Sequence, residues 1–277
     1  MTGDVHEGEL HGGLPVLRCG QGPPLVVLSG LTATHENPAG WARRFELDFC
    51  ASLVEFFTVS IVNRKPDLDP ATTMADLARD VAESLRYEFA EPVPVFGVST
   101  GGSIALQTAV DHPEVINRLV IAAAACRLSE RGRAMQQQLM LDIAADRPRH
   151  ASSLLGEMMP ARRTASLLLG RMMWLANVAM DPVDPSDVLV TLAAEDGFDV
   201  CADLHRIAIP TLVVGGEGDR LYSPELFERT ATGVAHGRLF LVPGGGHGAP
   251  LTSPDAREHV LDFFLEEELA HLVEHSH

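Results

Sequence analysis

The residues best suited to chemistry lie in three short segments far apart along the chain. The first is Gly97-Val98-Ser99-Thr100-Gly101, which follows the apolar run from Val93 to Phe96 and precedes the small-residue stretch Gly102-Ser103-Ile104-Ala105. A strand-like run entering a helix through Gly-x-Ser-x-Gly makes Ser99 the candidate nucleophile. Such a turn is tight and strained, so the serine hydroxyl stands clear of the backbone, and the flanking glycines leave room that a Cβ would fill. A bare pentapeptide of this pattern is also a common surface turn; the strand before it and the helix after it favour the nucleophile. A serine hydroxyl is weakly nucleophilic at neutral pH and needs a base in hydrogen-bond reach and a carboxylate to orient that base. Asp219 follows the run from Thr211 to Gly215, and His247 sits in Pro243-Gly244-Gly245-Gly246-His247-Gly248 after the run from Arg238 to Val242. A parallel sheet brings the ends of all three runs to one edge. Glu217 competes with Asp219 for the acid role, and its loop position separates His247 from the other histidines.

The elements that must hold these residues are legible in the pattern of apolar runs. Residues 14–18 and 24–29 read as a hairpin that opens the sheet. Asn37-Pro38 reads as the start of a helix carrying Trp41, Phe45, Phe49 and Leu53 on one face. Residues 57–62 form the next strand, and Thr73-Met74-Ala75-Asp76 resembles a capping box before a helix whose buried face is Met74, Leu77, Ala78, Val81 and Leu85. The strand before Ser99, the helix after it and a strand at 115–123 follow. Alternation of strand and helix, each strand nearly continuously apolar, predicts an α/β fold with a mostly parallel, doubly wound sheet. Alternation stops between about 126 and 205, where the composition is helical and seven of the nine methionines gather: Met135, Met140, Met158, Met159, Met172, Met173 and Met180, with Trp174 among them. This stretch predicts a helical cap inserted over the site, with residues 1–125 and 206–277 forming the core domain. Ser223-Pro224 and Ser253-Pro254 open the last two helices, the second burying Val260, Phe263 and Phe264.

A formal net charge of −17 over 277 residues argues against nucleic acid and anionic membrane surfaces as partners. The polar, acidic first residues lack a signal-peptide pattern and no apolar run reaches spanning length, so a cytoplasmic protein is expected. Cys19, Cys50, Cys126 and Cys201 are scattered without a Cys-x-x-Cys pair, and all four are expected as reduced thiols, with no zinc site. His35-Glu36 lacks the second histidine of a zinc-protease helix, because Ala39 stands there, and no phosphate-binding glycine motif occurs. No metal or cofactor is expected. Arg127, Arg131, Arg133, Arg147, Arg149, Arg162, Arg163 and Arg171 gather in the cap and read as a solvated helix face rather than a substrate anchor.

Together the elbow at 97–101, the segment Pro210 to Asp219 and the segment Val242 to Gly248 resemble the α/β-hydrolase superfamily, over residues 14–125 and 206–270. Residues in the order Ser99, Asp219, His247 match that superfamily's order of nucleophile, acid and base. The resemblance also implies an oxyanion site made by the backbone amides of Thr100, the residue after the nucleophile, and Leu31, in the loop after the strand at 24–29. Ser29-Gly30 stands where the superfamily usually has His-Gly. The expected activity is hydrolysis of a small, largely apolar carboxylic ester or lactone through an acyl-enzyme on Ser99. Acyl transfer to another acceptor, thioester or carbon–carbon bond hydrolysis, peracid formation and ligand binding without turnover remain open, as does the oligomeric state.

Overall fold

A computed structural model describes residues 4–159 and 184–274 of the protein. In chain order they form β1 (His6–Leu10), β2 (Leu14–Cys19), β3 (Pro24–Leu28), α1 (Gly40–Phe49), β4 (Thr58–Val62), α2 (Met74–Glu88), β5 (Val93–Val98), α3 (Thr100–Asp111) and β6 (Ile116–Ala122). Three helices follow, α4 (Glu130–Ala144), α5 (Pro148–Met158) and α6 (Ser186–Asp196). The chain then makes β7 (Pro210–Gly216), α7 (Pro224–Gly233), β8 (His236–Val242), α8 (Ala249–Thr252) and α9 (Pro254–Glu274).

The eight strands join in one sheet, ordered β1-β2-β4-β3-β5-β6-β7-β8. Strands β3 to β8 are mutually parallel, and β1 and β2 run antiparallel at one edge. Strand side chains alternate between two cores, the cause of the near-continuous apolar runs. Val26, Leu28, Val95, Leu119 and Ile121 pack with Met74, Leu77, Val81 and Leu85 of α2 and Ile104 of α3. Leu25, Val27, Phe96, Val120 and Val214 pack on the other face with Leu47 and Phe49 of α1 and Val260, Phe263 and Phe264 of α9. The capping box of α2 forms as expected: the Asp76 amide donates to the Thr73 hydroxyl at 3.3 Å and the Thr73 amide to the Asp76 carboxylate at 2.9 Å.

Three expectations are corrected. Residues 14–18 and 24–29 do not pair with each other, because β4 lies between β2 and β3; the hairpin is β1–β2, with Leu10 opposite Leu14. Four of the five β1 residues are exposed, so its sequence carries no apolar signal. Helix α1 starts after Ala39 rather than Asn37 and ends before Leu53, and it turns Trp41 and Phe45 to solvent while Leu47 and Phe49 enter the core. Cys126 and Cys201 are joined in a disulfide, Cα atoms 5.0 Å apart, whereas Cys19 and Cys50 are free and buried. Sequence spacing hides this pair because the chain leaves the sheet just before Cys126 and returns beside it, the Val200 amide donating to the Cys126 carbonyl.

The stretch between β6 and β7 is helical where described, with Met158 buried and Met135 and Met140 packed against the core. Arg133 faces Asp196 at 3.7 Å and Arg147 faces Asp142 at 3.4 Å, in keeping with a solvated face. Met172, Met173, Met180, Trp174, Arg162, Arg163 and Arg171 lie outside the described residues. Among the described residues, no helix is long and apolar enough to cross a membrane, and no group of three or more His, Cys, Asp or Glu is arranged to hold a metal ion.

Candidate active site

β5 ends at Val98 and α3 begins at Thr100, so Ser99 alone makes the turn, at φ 51° and ψ −121°. A side chain in that region is strained by about 1–3 kcal/mol and persists only where its surroundings over-determine it. Here they do. A Cβ on Gly101 would stand 2.2 Å from the Leu28 carbonyl oxygen, and one on Gly97 2.7 Å from the Gly101 oxygen, so the end of β3 and the turn are packed backbone to backbone. The Ser99 amide donates to the Ala122 oxygen at 2.8 Å, and the Ser99 carbonyl accepts from Gly102 and Ser103 at 2.7 and 3.1 Å. The hydroxyl is left free to face the sheet's carboxyl edge.

That edge also holds the ends of β7 and β8. The Gly218 amide donates to the Gly245 oxygen at 2.7 Å, and a Cβ on Gly216 would meet the Gly246 oxygen at 2.5 Å. The two glycine-rich loops are thus joined through their backbones, bringing Asp219 beneath His247. The Ser99 hydroxyl lies 2.9 Å from His247 Nε2, and His247 Nδ1 lies 2.8 Å from Asp219 Oδ2. A carboxylate only accepts, so the ring proton sits on Nδ1 and the Nε2 lone pair faces the hydroxyl. Asp219 Oδ1 accepts from the amides of Leu221 at 2.8 Å and Tyr222 at 3.3 Å, and the Tyr222 ring lies nearly parallel to the imidazole. Burial pushes the His247 pKa down, but the charge and hydrogen bond of Asp219, with the charge of Glu195, outweigh it and hold the imidazole above its ordinary value. Glu217 is exposed and accepts from the Gly244 amide at 2.9 Å, bracing the loop before His247.

Thr100 follows Ser99 directly, and the loop that carries Leu31 runs close to it. Thr100 is the first residue of α3, and a Cβ on Gly30 would lie 3.5 Å from Ser99 Cβ, so the loop containing Leu31 passes directly beside the serine. Among the described residues neither amide has a protein acceptor.

Three polar residues around the site take roles that no sequence motif signalled, among them His35, whose sequence reading was only as part of an incomplete zinc-protease motif. Arg64, after β4, is buried beneath the 29–35 loop and donates to the carbonyls of Ser29 at 3.2 Å and Gly30 at 3.0 Å and to the Thr32 hydroxyl at 2.9 Å. Its Nε–H donates to His35 Nε2 at 3.1 Å, which fixes the His35 proton on Nδ1, facing the Lys65 carbonyl at 2.9 Å. Burial, and then the charge of Arg64, lower His35 to about 4, so the ring is neutral near pH 7. Burial lowers Arg64 to about 10, opposed by Glu195, Glu46 and Asp187, which leaves it charged. The guanidinium thus holds the loop whose usual His-Gly is here Ser29-Gly30. Glu195 of α6 is the third, and its carboxylate accepts from the hydroxyls of Thr100 and Ser103, each at 2.9 Å. The available signal was a four-residue spacing of Asp187, Thr191 and Glu195 along a helix whose residues between them are apolar, which places the three on one face.

Comparison with known proteins agrees with the fold. The profile described as "Alpha/beta hydrolase family" matches residues 25–258. A curated relative, Polyketide synthase ThaQ of Burkholderia thailandensis, is 29% identical over 94% of the chain, which spans 13% of that protein's length. The 2-hydroxy-6-oxononadienedioate/2-hydroxy-6-oxononatrienedioate hydrolase of a Pseudomonas species is 24% identical, with 95% of each chain covered. Among solved structures, the enol-lactonase from Burkholderia xenovorans LB400 superposes with a TM-score of 0.72 at 18% identity, covering 94% of this chain and 99% of its own.

Proposed function

The chain belongs to the alpha/beta hydrolase family, and from that premise we propose that it is a serine hydrolase cleaving a small, largely apolar carboxylic ester or lactone through an acyl-enzyme on Ser99. The observation that carries this reading is the unbroken hydrogen-bonded chain from the Ser99 hydroxyl through His247 to Asp219.

His247 Nε2 takes the Ser99 proton as Oγ attacks the substrate carbonyl carbon, and Asp219 stabilises the imidazolium that forms. The carbonyl oxygen becomes an oxyanion facing the Leu31 and Thr100 amides, donors that cost no rotamer entropy when charge develops. Collapse of the tetrahedral intermediate breaks the bond to the leaving alkoxide, which takes the proton from Nε2. A water then gives a proton to His247 as it attacks the acyl carbon, and collapse of the second tetrahedral intermediate releases the acid while His247 returns that proton to the Ser99 oxygen. The helices between β6 and β7 act in this reading as a cap over the sheet edge, keeping bulk water from the acyl-enzyme.

The test is to label wild type and Ser99→Ala with a fluorophosphonate and to measure turnover of esters of graded acyl length. Labelling is expected only with Ser99 present, and Ser99→Ala should lower kcat by about 10⁴-fold or more. Labelling that survives the substitution refutes the nucleophile; labelling of wild type without hydrolysis of any ester redirects the reading to acyl transfer or to another bond type on the same residues.

A further inference from the structure

We propose that Glu195, carried by α6 from outside the sheet, is the positioning residue for the Thr100 half of the oxyanion site. The inference rests on the serine-hydrolase reading and adds a residue to it.

It begins with a missing cap. A helix N-terminus leaves its first amides without intrahelical partners, and a serine before the first turn ordinarily satisfies one of them through its side chain. Ser99 is the N-cap of α3 but makes no such bond, because its hydroxyl is directed to His247. The nucleophile cannot act and cap at once. The first turn of α3, which carries the Thr100 amide, must be held by something else.

Glu195 holds it. Its Oε2 accepts from the Thr100 hydroxyl and its Oε1 from the Ser103 hydroxyl, both at 2.9 Å, and the Tyr222 hydroxyl stands 3.4 Å from Oε1. Thr100 and Ser103 are three residues apart and share a face of α3, so one carboxylate bridges the whole first turn. Glu195 is 3% exposed, Thr100 2% and Ser103 0%. A buried carboxylate is costly unless fully hydrogen-bonded, and an apolar residue would pack in a helix as apolar as α6 at less cost. Retaining the acid at this place is accounted for by what it holds.

The rest of α6 is registered on the core by the same face. The Asp187 carboxylate accepts from the amides of Asp67 and Leu68 at 3.1 and 2.8 Å, and Thr191 lies against His35. One helix therefore braces the first turn of α3 at one end and abuts the residues that hold the Leu31 loop at the other. The charged and titratable groups facing Glu195 are His247, Arg64 and Tyr222, with Asp219 beyond the imidazole. Its negative charge adds to that of Asp219 in favouring the protonated imidazole.

The experiment compares wild type, Glu195→Ala, Glu195→Gln and Thr100→Val in steady-state hydrolysis of p-nitrophenyl acetate, with a melting curve for each. Thr100→Val keeps the backbone amide and side-chain shape but cuts the link from the other side. Glu195→Ala and Thr100→Val are each expected to lower kcat about 10- to 100-fold with KM within about threefold, and their double variant to fall little further. Glu195→Gln, which keeps an acceptor and gains a donor, should recover at least about a third of kcat while moving the acidic limb of kcat/KM to lower pH, a shift that a purely structural role would not produce. A folded Glu195→Ala or Thr100→Val with kcat within about twofold of wild type overturns the inference, as does a Glu195→Gln as impaired as the alanine variant. If Glu195→Ala does not fold, Thr100→Val decides alone. A wild type that neither hydrolyses the ester nor is labelled at Ser99 by fluorophosphonate overturns the serine-hydrolase reading and the inference with it; an active wild type with unaffected variants overturns the inference only.

Discussion

At the scale of single residues, the site is a matter of where protons sit. His247 accepts the Ser99 proton only when its ring is neutral. Burial alone would favour the neutral ring, but Asp219 and the more distant Glu195 reverse that and hold the pKa above the ordinary imidazole value. The acidic limb of kcat/KM should therefore lie on the alkaline side of an unperturbed imidazole's, with activity lost as pH falls through the raised value. Asp219→Asn removes the main opposing charge and presents an amide where an acceptor is needed; it should cost about 10⁴-fold in kcat and move the remaining activity's limb to lower pH. Both are read from rate profiles between about pH 5 and 9. A limb that stays in place in Asp219→Asn would mean that another group sets it. Linkage runs the other way for stability: a histidine raised on folding stabilises the fold below its unfolded pKa, and that contribution is lost as pH rises through the folded value. His35 has the opposite shift and plays no part in proton transfer. Its neutral ring accepts from Arg64, whose fork of donors fits three oxygens of the loop at once, which a lysine's single ammonium could not reproduce.

At the scale of elements, Ser99 is placed by three backbones meeting without side chains between them. Gly101 is the tightest point, against the last carbonyl of β3. Gly101→Ala must push β3 from α3 and should destabilise the protein by more than about 3 kcal/mol or prevent folding. Gly197, just past α6 at φ −82° with no atom nearer than 3.7 Å to an added Cβ, is the contrast. Gly197→Ala should be neutral or stabilising by up to about 1 kcal/mol, as urea unfolding of the two variants would read. Ordinary stability in Gly101→Ala would show that β3 and α3 can separate at this point at little cost. This contrast also marks what the sequence could convey. Gly97, Ser99 and Gly101 are neighbours whose roles follow from local geometry, and β3, β5, β6 and β7 are apolar on both faces, so turn and sheet were both legible. Asp219 and His247 were legible because each lies in the loop just past a strand, Asp219 three residues beyond β7 and His247 five beyond β8. The order of β2, β4 and β3 was not, since pairing depends on the return path of the chain. Trp41 and Phe45 repeat at helical spacing yet face solvent, because periodicity records that a face exists and not what covers it. Arg64 and Glu195 act on residues more than 30 and 90 positions away, and no local pattern carries such a partnership.

At the scale of the whole molecule, the stretch between β6 and β7 is held at its neck. Cys126 lies four residues past the end of β6 and Cys201 five past the end of α6, and their disulfide closes 75 residues of chain, with Arg127 and Asp199 bridged beside it. Tying the ends of so long a loop restricts the unfolded chain far more than the folded one, an effect of about 4 kcal/mol by loop-closure entropy and typically 2–4 kcal/mol in practice. For a chain of this size each kcal/mol moves the melting midpoint by about 2–4 °C. Reduction should therefore lower the midpoint of wild type by roughly 5–15 °C and leave that of a Cys126→Ala, Cys201→Ala double variant unmoved. Titration of the unreduced, denatured protein should find two free thiols, those of Cys19 and Cys50; four would remove the crosslink from the account. Because α6 ends a few residues before Cys201, the crosslink also limits how far that helix can swing from α3. If Glu195 must stay against Thr100 for turnover, reduction at a temperature well below the lowered midpoint should reduce kcat before it unfolds the protein. Loss of activity that merely tracks unfolding would confine the disulfide to stability.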